Sequence, residues 1–261
     1  MKKNNYRGLS KDEVYLISRA GYEKQKLITK EYARSLFGNK RKSTNVLYRL
    51  AKKGRLLQIQ RGKYIIVPIN APNQLWSPNE FVTAKLWMGN IPYYIGYFTM
   101  YNYWGFTEQI PNTIFVLNLK RSYNKTIGNI RYRAVKIEKK KYYGIKKIRI
   151  GSEYVNTSDK ERTLVDLIYC PVGSFENIKE ILKSNINKID RQKFIKYLIA
   201  FPIVSVRKRA GYLLERINFD KTLLGKLKKS IGRKNTYVAL NPTVSSRKGK
   251  IDKNWCIIEN G

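Results

Sequence analysis

The chain has 261 residues, of which 43% are apolar, enough for a genuine core, and it sets 53 Lys and Arg against 18 Asp and Glu for a formal net charge of +35. That excess asks for a polyanionic partner, with nucleic acid ahead of an anionic membrane surface. Histidine is absent, which excludes His-based acid/base and nucleophilic chemistry and nearly all catalytic zinc sites. No GxxxxGK[ST] loop or strand-bound GxGxxG occurs. Cys170 and Cys256 stand alone and far apart, offering neither a disulfide framework nor a metal knuckle. No apolar run is long enough to span a bilayer, and MKKNNYRGLSKDEV leads into no signal-peptide core, so no membrane role and a cytoplasmic location are expected. Both ends are strongly basic: residues 1–68 and 181–261 each carry +14, against +7 for residues 69–180.

In chain order, Ser10 opens SKDE, a capping box with Glu13, and Val14, Leu16 and Ile17 give the helix that follows an apolar side. Thr29 is placed to cap KEYARSLF, which Gly38 ends. Ser43 is placed to cap TNVLYRLAKK, which Gly54 ends. The stretch GRLLQIQRGKYIIVP then reads as a hairpin turning at Arg61-Gly62. The expected register pairs Ile59 with Tyr64 and Leu57 with Ile66 on the packed face. It leaves Gln58, Gln60, Lys63 and, as an apolar exception, Ile65 on a wet face.

Three helices and a hairpin are the order of a winged helix-turn-helix, whose third helix enters the major groove while the wing lies over the backbone or minor groove. Val46, Leu47, Leu50 and Ala51 form the packing side of that helix, and Asn45, Tyr48, Arg49 and Lys52 recur at i, i+3, i+4, i+7 on the other. The expected DNA contacts follow. Ser43, Thr44, Asn45, Tyr48, Arg49 and Lys52 face base edges, while Lys40, Arg41, Lys42, Lys53 and Lys63 meet phosphate. Lys40 to Lys42 are read as a loop before the helix. Arg61 at the wing tip suits a narrow, electronegative minor groove. The bland alternative is a solvated helix face with an exposed turn, against which stand the local charge, the caps and the wing register.

Prolines in PINAPNQLWSP, residues 68–78, mark the expected boundary between domains at 1–70 and 77–261. SPNE, Ser77 to Glu80, reads as a second capping box, with Pro78 at the first helical position. The aromatic stretch IPYYIGYFTMYNYWGFTEQIP reads as core more than as stacking surface. TIFVLNL, IRYRAVKIE and KKIRIGSEYVN read as strands. SDKERTLVDLIY starts with a third box, Ser158 and Glu161, and sets Arg162 four residues before Asp166. Asp159, Glu161 and Asp166 are the one cluster worth weighing as a magnesium site for phosphodiester cleavage. A cap and an i,i+4 ion pair already account for them. RQKFIKYLIAF, VSVRKRAGYLLERI and TLLGKLKKSI are helical by period, followed by a short strand, TYVAL. The expected class is α+β: an N-terminal winged helix-turn-helix and a larger mixed α/β C-terminal domain, with no catalytic residue, cofactor or metal ligand. Two rivals remain open: a metal-dependent nuclease targeted by the winged helix, and a non-specific nucleic-acid binder using Arg207 to Arg209 and Lys226 to Lys229.

Four stretches together resemble a known family: LYRLAKKGRLLQIQRGKYIIVP, YYIGYFTMYNYWGFTEQIP, SDKERTLVDL, and RKRAGYLLE with YVALNP. They look like the AbiEi-type antitoxins and transcriptional regulators of type IV toxin–antitoxin systems. The resemblance implies a repressor whose N-terminal domain binds double-stranded DNA at inverted repeats in its own promoter. It also implies a C-terminal domain that counteracts a cognate nucleotidyltransferase-like toxin, often without a stable complex.

Overall fold

The computed structural model describes residues 8–68, 78–232 and 236–260, and the chain divides into two compact units, 1–90 with 124–132, and 91–123 with 133–261. The fold is α+β.

The first unit runs α1 (Lys11–Tyr22), β1 (Ile28–Thr29), α2 (Lys30–Phe37), α3 (Lys40–Lys52), β2 (Leu56–Gln60), β3 (Lys63–Ile66) and α4 (Glu80–Met88). Local signals explain the ends. The Glu13 carboxylate accepts the Ser10 N–H at 2.7 Å, and Thr29 Oγ1 accepts the Tyr32 N–H at 3.0 Å. Gly38 takes the left-handed conformation (φ 64°) that closes α2. β1 pairs antiparallel with β3, giving a three-stranded sheet of order β1-β3-β2. Leu16, Ile17 and Ala20 of α1, Ala33 of α2 and Val46, Leu47 and Leu50 of α3 close a core over Ile28, Leu56 and Tyr64. Each large aliphatic side chain so buried contributes about 1.5–3 kcal/mol.

Three expectations fail in this unit. α3 starts at Lys40 rather than Thr44, because Asn39 is its cap and accepts the Lys42 N–H at 2.9 Å. Lys40, Arg41 and Lys42 are therefore the first turn of the helix. The wing register is shifted: Leu56 lies opposite Ile66, Leu57 opposite Ile65 and Gln58 opposite Tyr64, with a bulge between Gln58 and Gln60. Ile59 and Ile65 are both buried, at 0% and 5% exposure, so Ile65 does not lie on a wet face. Helix α4 packs on β2, and Gln60 Nε2 donates to the Trp87 carbonyl at 2.5 Å. Lastly, Asn79 caps α4, accepting the N–H of Phe81 at 3.0 Å and of Val82 at 3.2 Å. Ser77 and residues 69–76 of the expected boundary lie outside the described residues.

The second unit contains β4 (Tyr93–Ile95), α5 (Phe98–Tyr103) and β5 (Thr113–Asn118). The strands β6 (Tyr123–Ile127) and β7 (Ile130–Lys136) straddle the division. Then come β8 (Ile145–Ile150), β9 (Glu153–Ser158), α6 (Lys160–Tyr169), α7 (Phe175–Asn185), α8 (Arg191–Ala200), α9 (Val204–Arg216) and α10 (Lys221–Ile231). Three short strands finish it: β10 (Val238–Ala239), β11 (Lys250–Asp252) and β12 (Ile257–Glu259). The large sheet runs β7-β5-β4-β9-β8, with β4 and β9 parallel and β8 at the edge. Helices α6 to α10 share one core with Tyr94, Tyr97, Tyr101 and Phe106, so much of the aromatic stretch is packing. A Cβ on Gly211 would lie 2.1 Å from the Trp255 indole, which requires glycine where α9 meets the C-terminal sheet.

The α6 cap is Asp159, whose Oδ1 accepts the Arg162 N–H at 2.8 Å. The expected Ser158–Glu161 box does not form. Ser158 Oγ bonds Thr163 Oγ1, and Glu161 accepts from the Asp190 N–H and from Lys193, both at 3.0 Å. The Arg162–Asp166 pair does form, at 2.9 Å, with the two side chains 1% and 0% exposed.

Candidate nucleic-acid interface

The outward side of α3 is built by its period. Val46, Leu47 and Leu50 turn into the core, leaving Arg41, Asn45, Tyr48 and Lys52 exposed in one stripe at i, i+4, i+7, i+11. Lys40 and Thr44 flank the stripe and are exposed, and Tyr48 is 64% exposed. No carboxylate lies on this stripe. Arg61 is exposed at the wing tip, where Gly62 takes φ 76°, and Lys63 is half-buried.

Ser43 is the expected groove residue that the structure removes. It is 3% exposed, and its hydroxyl donates to the Ala33 carbonyl at 3.1 Å and the Asn39 carbonyl at 2.6 Å. It fastens α3 to α2. Three expected cations are already engaged on the side of α3 that meets α1. Lys42 pairs with Asp12 at 2.9 Å, Arg49 with Glu13 at 3.1 Å, and Lys53 with Glu13 at 2.6 Å. Lys53 also donates to the Gly8 carbonyl at 2.9 Å. Lys42 and Arg49 remain about half exposed, whereas Lys53 is mostly covered.

Two cations of α2 escape the sequence reading. Lys30, Glu31 and Arg34 line a shallow cleft of about 170 Å³ with Lys40, Ser43, Thr44 and Leu47. Lys30 also reaches the wing: its N–H donates to the Gly62 carbonyl at 3.0 Å, and its side chain passes 3.0 Å from where a Gly62 Cβ would stand. The signal in the sequence is Thr29-Lys30 at a helix start, hidden because β1 has just two residues. Lys30, Arg34, Lys40 and Arg61 extend the cationic surface from helix to wing.

Glu13 ties α1 to the C-terminal end of α3 through Arg49 and Lys53. Burial pushes its carboxyl up, but the bonds from Lys53, the Ser10 N–H and Arg49 more than offset that and hold it below the usual range. The folded value thus lies below the unfolded one of about 4.3. Its stabilisation is fully present above that pH and is lost as pH falls through the folded value. Glu13→Gln should flatten this acid limb in thermal melts between pH 7 and 3, and cost about 1–3 kcal/mol at neutral pH. An unchanged acid limb would contradict the assignment.

In the second unit, Asp159, Glu161 and Asp166 do not assemble as a cation site. Asp159 and Glu161 share Lys193, at 2.9 and 3.0 Å, and Tyr197 donates to Asp159 at 3.0 Å. Asp166 belongs to Arg162. Among the described residues no group of three His, Cys, Asp or Glu side chains is placed to hold a metal ion, and no helix is long and apolar enough to cross a membrane.

Comparisons with known proteins agree with the first unit. Across its whole length the chain is similar to the RV2827C protein from Mycobacterium tuberculosis, a crystal structure, with a TM-score of 0.66 at 13% identity over 97% of this chain and 92% of that one. At that identity the likeness is one of fold. No curated protein matches by sequence. Residues 23–67, from the end of α1 through the wing, match the model of a family described as transcriptional regulator, AbiEi antitoxin, a family of DNA-binding regulators. The similarity to the AbiEi antitoxin family of transcriptional regulators is thus carried by the winged-helix segment, residues 23–67.

Proposed function

We propose that the protein is a repressor and antitoxin that reads inverted repeats in its own promoter with α3 and the wing. The observation that carries this reading is the acid-free stripe Arg41–Asn45–Tyr48–Lys52 beside Arg61. Asparagine is suited to adenine, arginine to guanine or phosphate, and lysine and tyrosine to phosphate oxygens. Thr44 and Lys40 extend that contact, with Lys63, Lys30 and Arg34 as phosphate partners. Arg49 and Lys42 reach DNA only by sharing or leaving their carboxylates. DNA reading is assigned to residues 1–70 and antitoxin activity to residues 77–261, the latter directed at a nucleotidyltransferase-like toxin with no stable complex needed. The protein is read as non-enzymatic and cytoplasmic.

Protection of the DNA upstream of its own reading frame tests the first half: a protected pair of inverted repeats is expected, and protection no better than on random duplex would overturn it. Co-production with a neighbouring nucleotidyltransferase-like protein tests the second, with residues 77–261 expected to restore growth. Failure of both the fragment and the full chain to do so would overturn the antitoxin assignment.

A further inference from the structure

The winged helix leaves more than half of the charge unused. Residues 91–123 and 133–261 hold 32 Lys and Arg against 13 Asp and Glu, a net +19 in the second unit. A domain whose task were limited to meeting a protein partner would have no physical need of such an excess.

The charge has a structured outlet at the edge of the large sheet. In the antiparallel ribbon β8–β9, Arg149 lies opposite Tyr154 and Lys147 opposite Asn156. Strand alternation puts these four on one face. Ile148 and Val155, on the other face, are buried at 8% and 0% exposure, which turns Lys147, Arg149 and Tyr154 to solvent. Tyr154 is 59% exposed, a large ring on a strand with a guanidinium directly across from it. Glu153 is opposite Ile150 and so belongs to the inward face, which leaves the outer one without a carboxylate. Asp159, next after the ribbon, is held by Lys193 and Tyr197. At the same edge, Lys146 and Lys160 lie 5.8 and 5.6 Å from the Trp104 ring, and Tyr103, 43% exposed, meets that ring edge-on.

We propose that the outer face of β8–β9 is a second nucleic-acid-binding surface, and that it takes a single-stranded segment. Cations spaced along a strand track a phosphate backbone, and an exposed ring across from one of them offers a base a stacking partner that a paired duplex cannot use. A duplex would meet the lysines and leave Tyr154 idle. The surface is separate from α3 and works whatever operator the winged helix reads.

Anisotropy of labelled 12-nucleotide dT and U oligomers with the full chain, at about 0.1 M salt, tests this. Lys147→Glu with Arg149→Glu should weaken oligomer binding at least tenfold, and Tyr154→Ser about fivefold or more without any charge change. The charge-matched change Lys226→Glu with Lys229→Glu on α10 should cost less than about threefold, because general attraction alone is reduced. Random duplex binding should fall less than oligomer binding in the ribbon variants. Tighter binding of U than dT would assign RNA, and the reverse DNA. The proposal is overturned if Tyr154→Ser binds like the parent, if the ribbon variant loses no more than the α10 control, or if duplex and oligomer affinities fall together. It is overturned too if the ribbon variant loses binding to phosphatidylserine vesicles while keeping the oligomers.

Discussion

Arg41→Glu with Lys52→Glu is expected to weaken duplex DNA binding by about 100-fold or more at about 0.1 M salt. The slope of log affinity against log salt should shrink by about 2, since each phosphate that is no longer neutralised removes about 0.9. Both side chains are exposed on α3, so the helix content and melting temperature should hold. This pair separates binding from folding in a way that Arg49 and Lys53 do not. Those two side chains bond the buried Glu13, so truncating either removes part of the α1–α3 clamp as well as a cation. Arg49→Ala should therefore lower the melting temperature along with the affinity, whereas Asn45→Ala should relax sequence preference by about 1–3 kcal/mol with stability retained. A melting loss in the Arg41/Lys52 variant equal to that of Arg49→Ala would show that the exposed stripe has been misplaced.

The largest stability loss is expected in the second unit, from Arg162→Met. The guanidinium is buried among Tyr94, Tyr143 and Phe201, lying 4.5 Å from the Tyr143 ring centre, and bonds Asp166 Oδ1 at 2.9 Å and Tyr94 Oη at 3.2 Å. Removing it leaves a carboxylate with no cation in an apolar site, a change that costs about 3–5 kcal/mol. Asp166→Leu in the same chain should recover most of that loss, because the pair taken out together leaves no orphan charge. Burial already pushes the Asp166 carboxyl above its usual range. A folded value raised above the unfolded one favours protonation in the folded chain relative to the unfolded one, so this contribution is present at low pH and lost as pH rises through the folded value. The Arg162→Met chain should thus gain stability on going from pH 7 toward 5, relative to the parent. Equal losses in the single and double variants would contradict this assignment.

Much of the winged helix was legible because its signals are local. Ser10, Thr29 and Gly38 are helix ends written in single residues, and the 3.6-residue period of α3 separated Val46, Leu47 and Leu50 from Asn45, Tyr48 and Lys52. What escaped depends on interactions between distant residues. The shifted register and the burial of Ile65 are set by how the wing pairs and by α4 lying on β2, some 20 residues on. The capture of Arg49 and Lys53 by Glu13 spans 36 and 40 positions, and no pattern within α3 announces it. Asn39 and Ser43 are both good caps by type. The choice fell to Asn39 because Ser43 has a better use in bonding the Ala33 carbonyl. In the second unit the strands showed as apolar runs, but the parallel pairing of β4 with β9 joins residues about 60 apart and carries no local mark.

DNA reading requires α3 to turn its exposed stripe toward a duplex, and site-specific photocrosslinking reads that directly. A benzoylphenylalanine in place of Tyr48, on the stripe, should crosslink to bound DNA on irradiation. The same group in place of Tyr22, 81% exposed at the end of α1, should not. Crosslinking from position 22 with none from position 48 would contradict it.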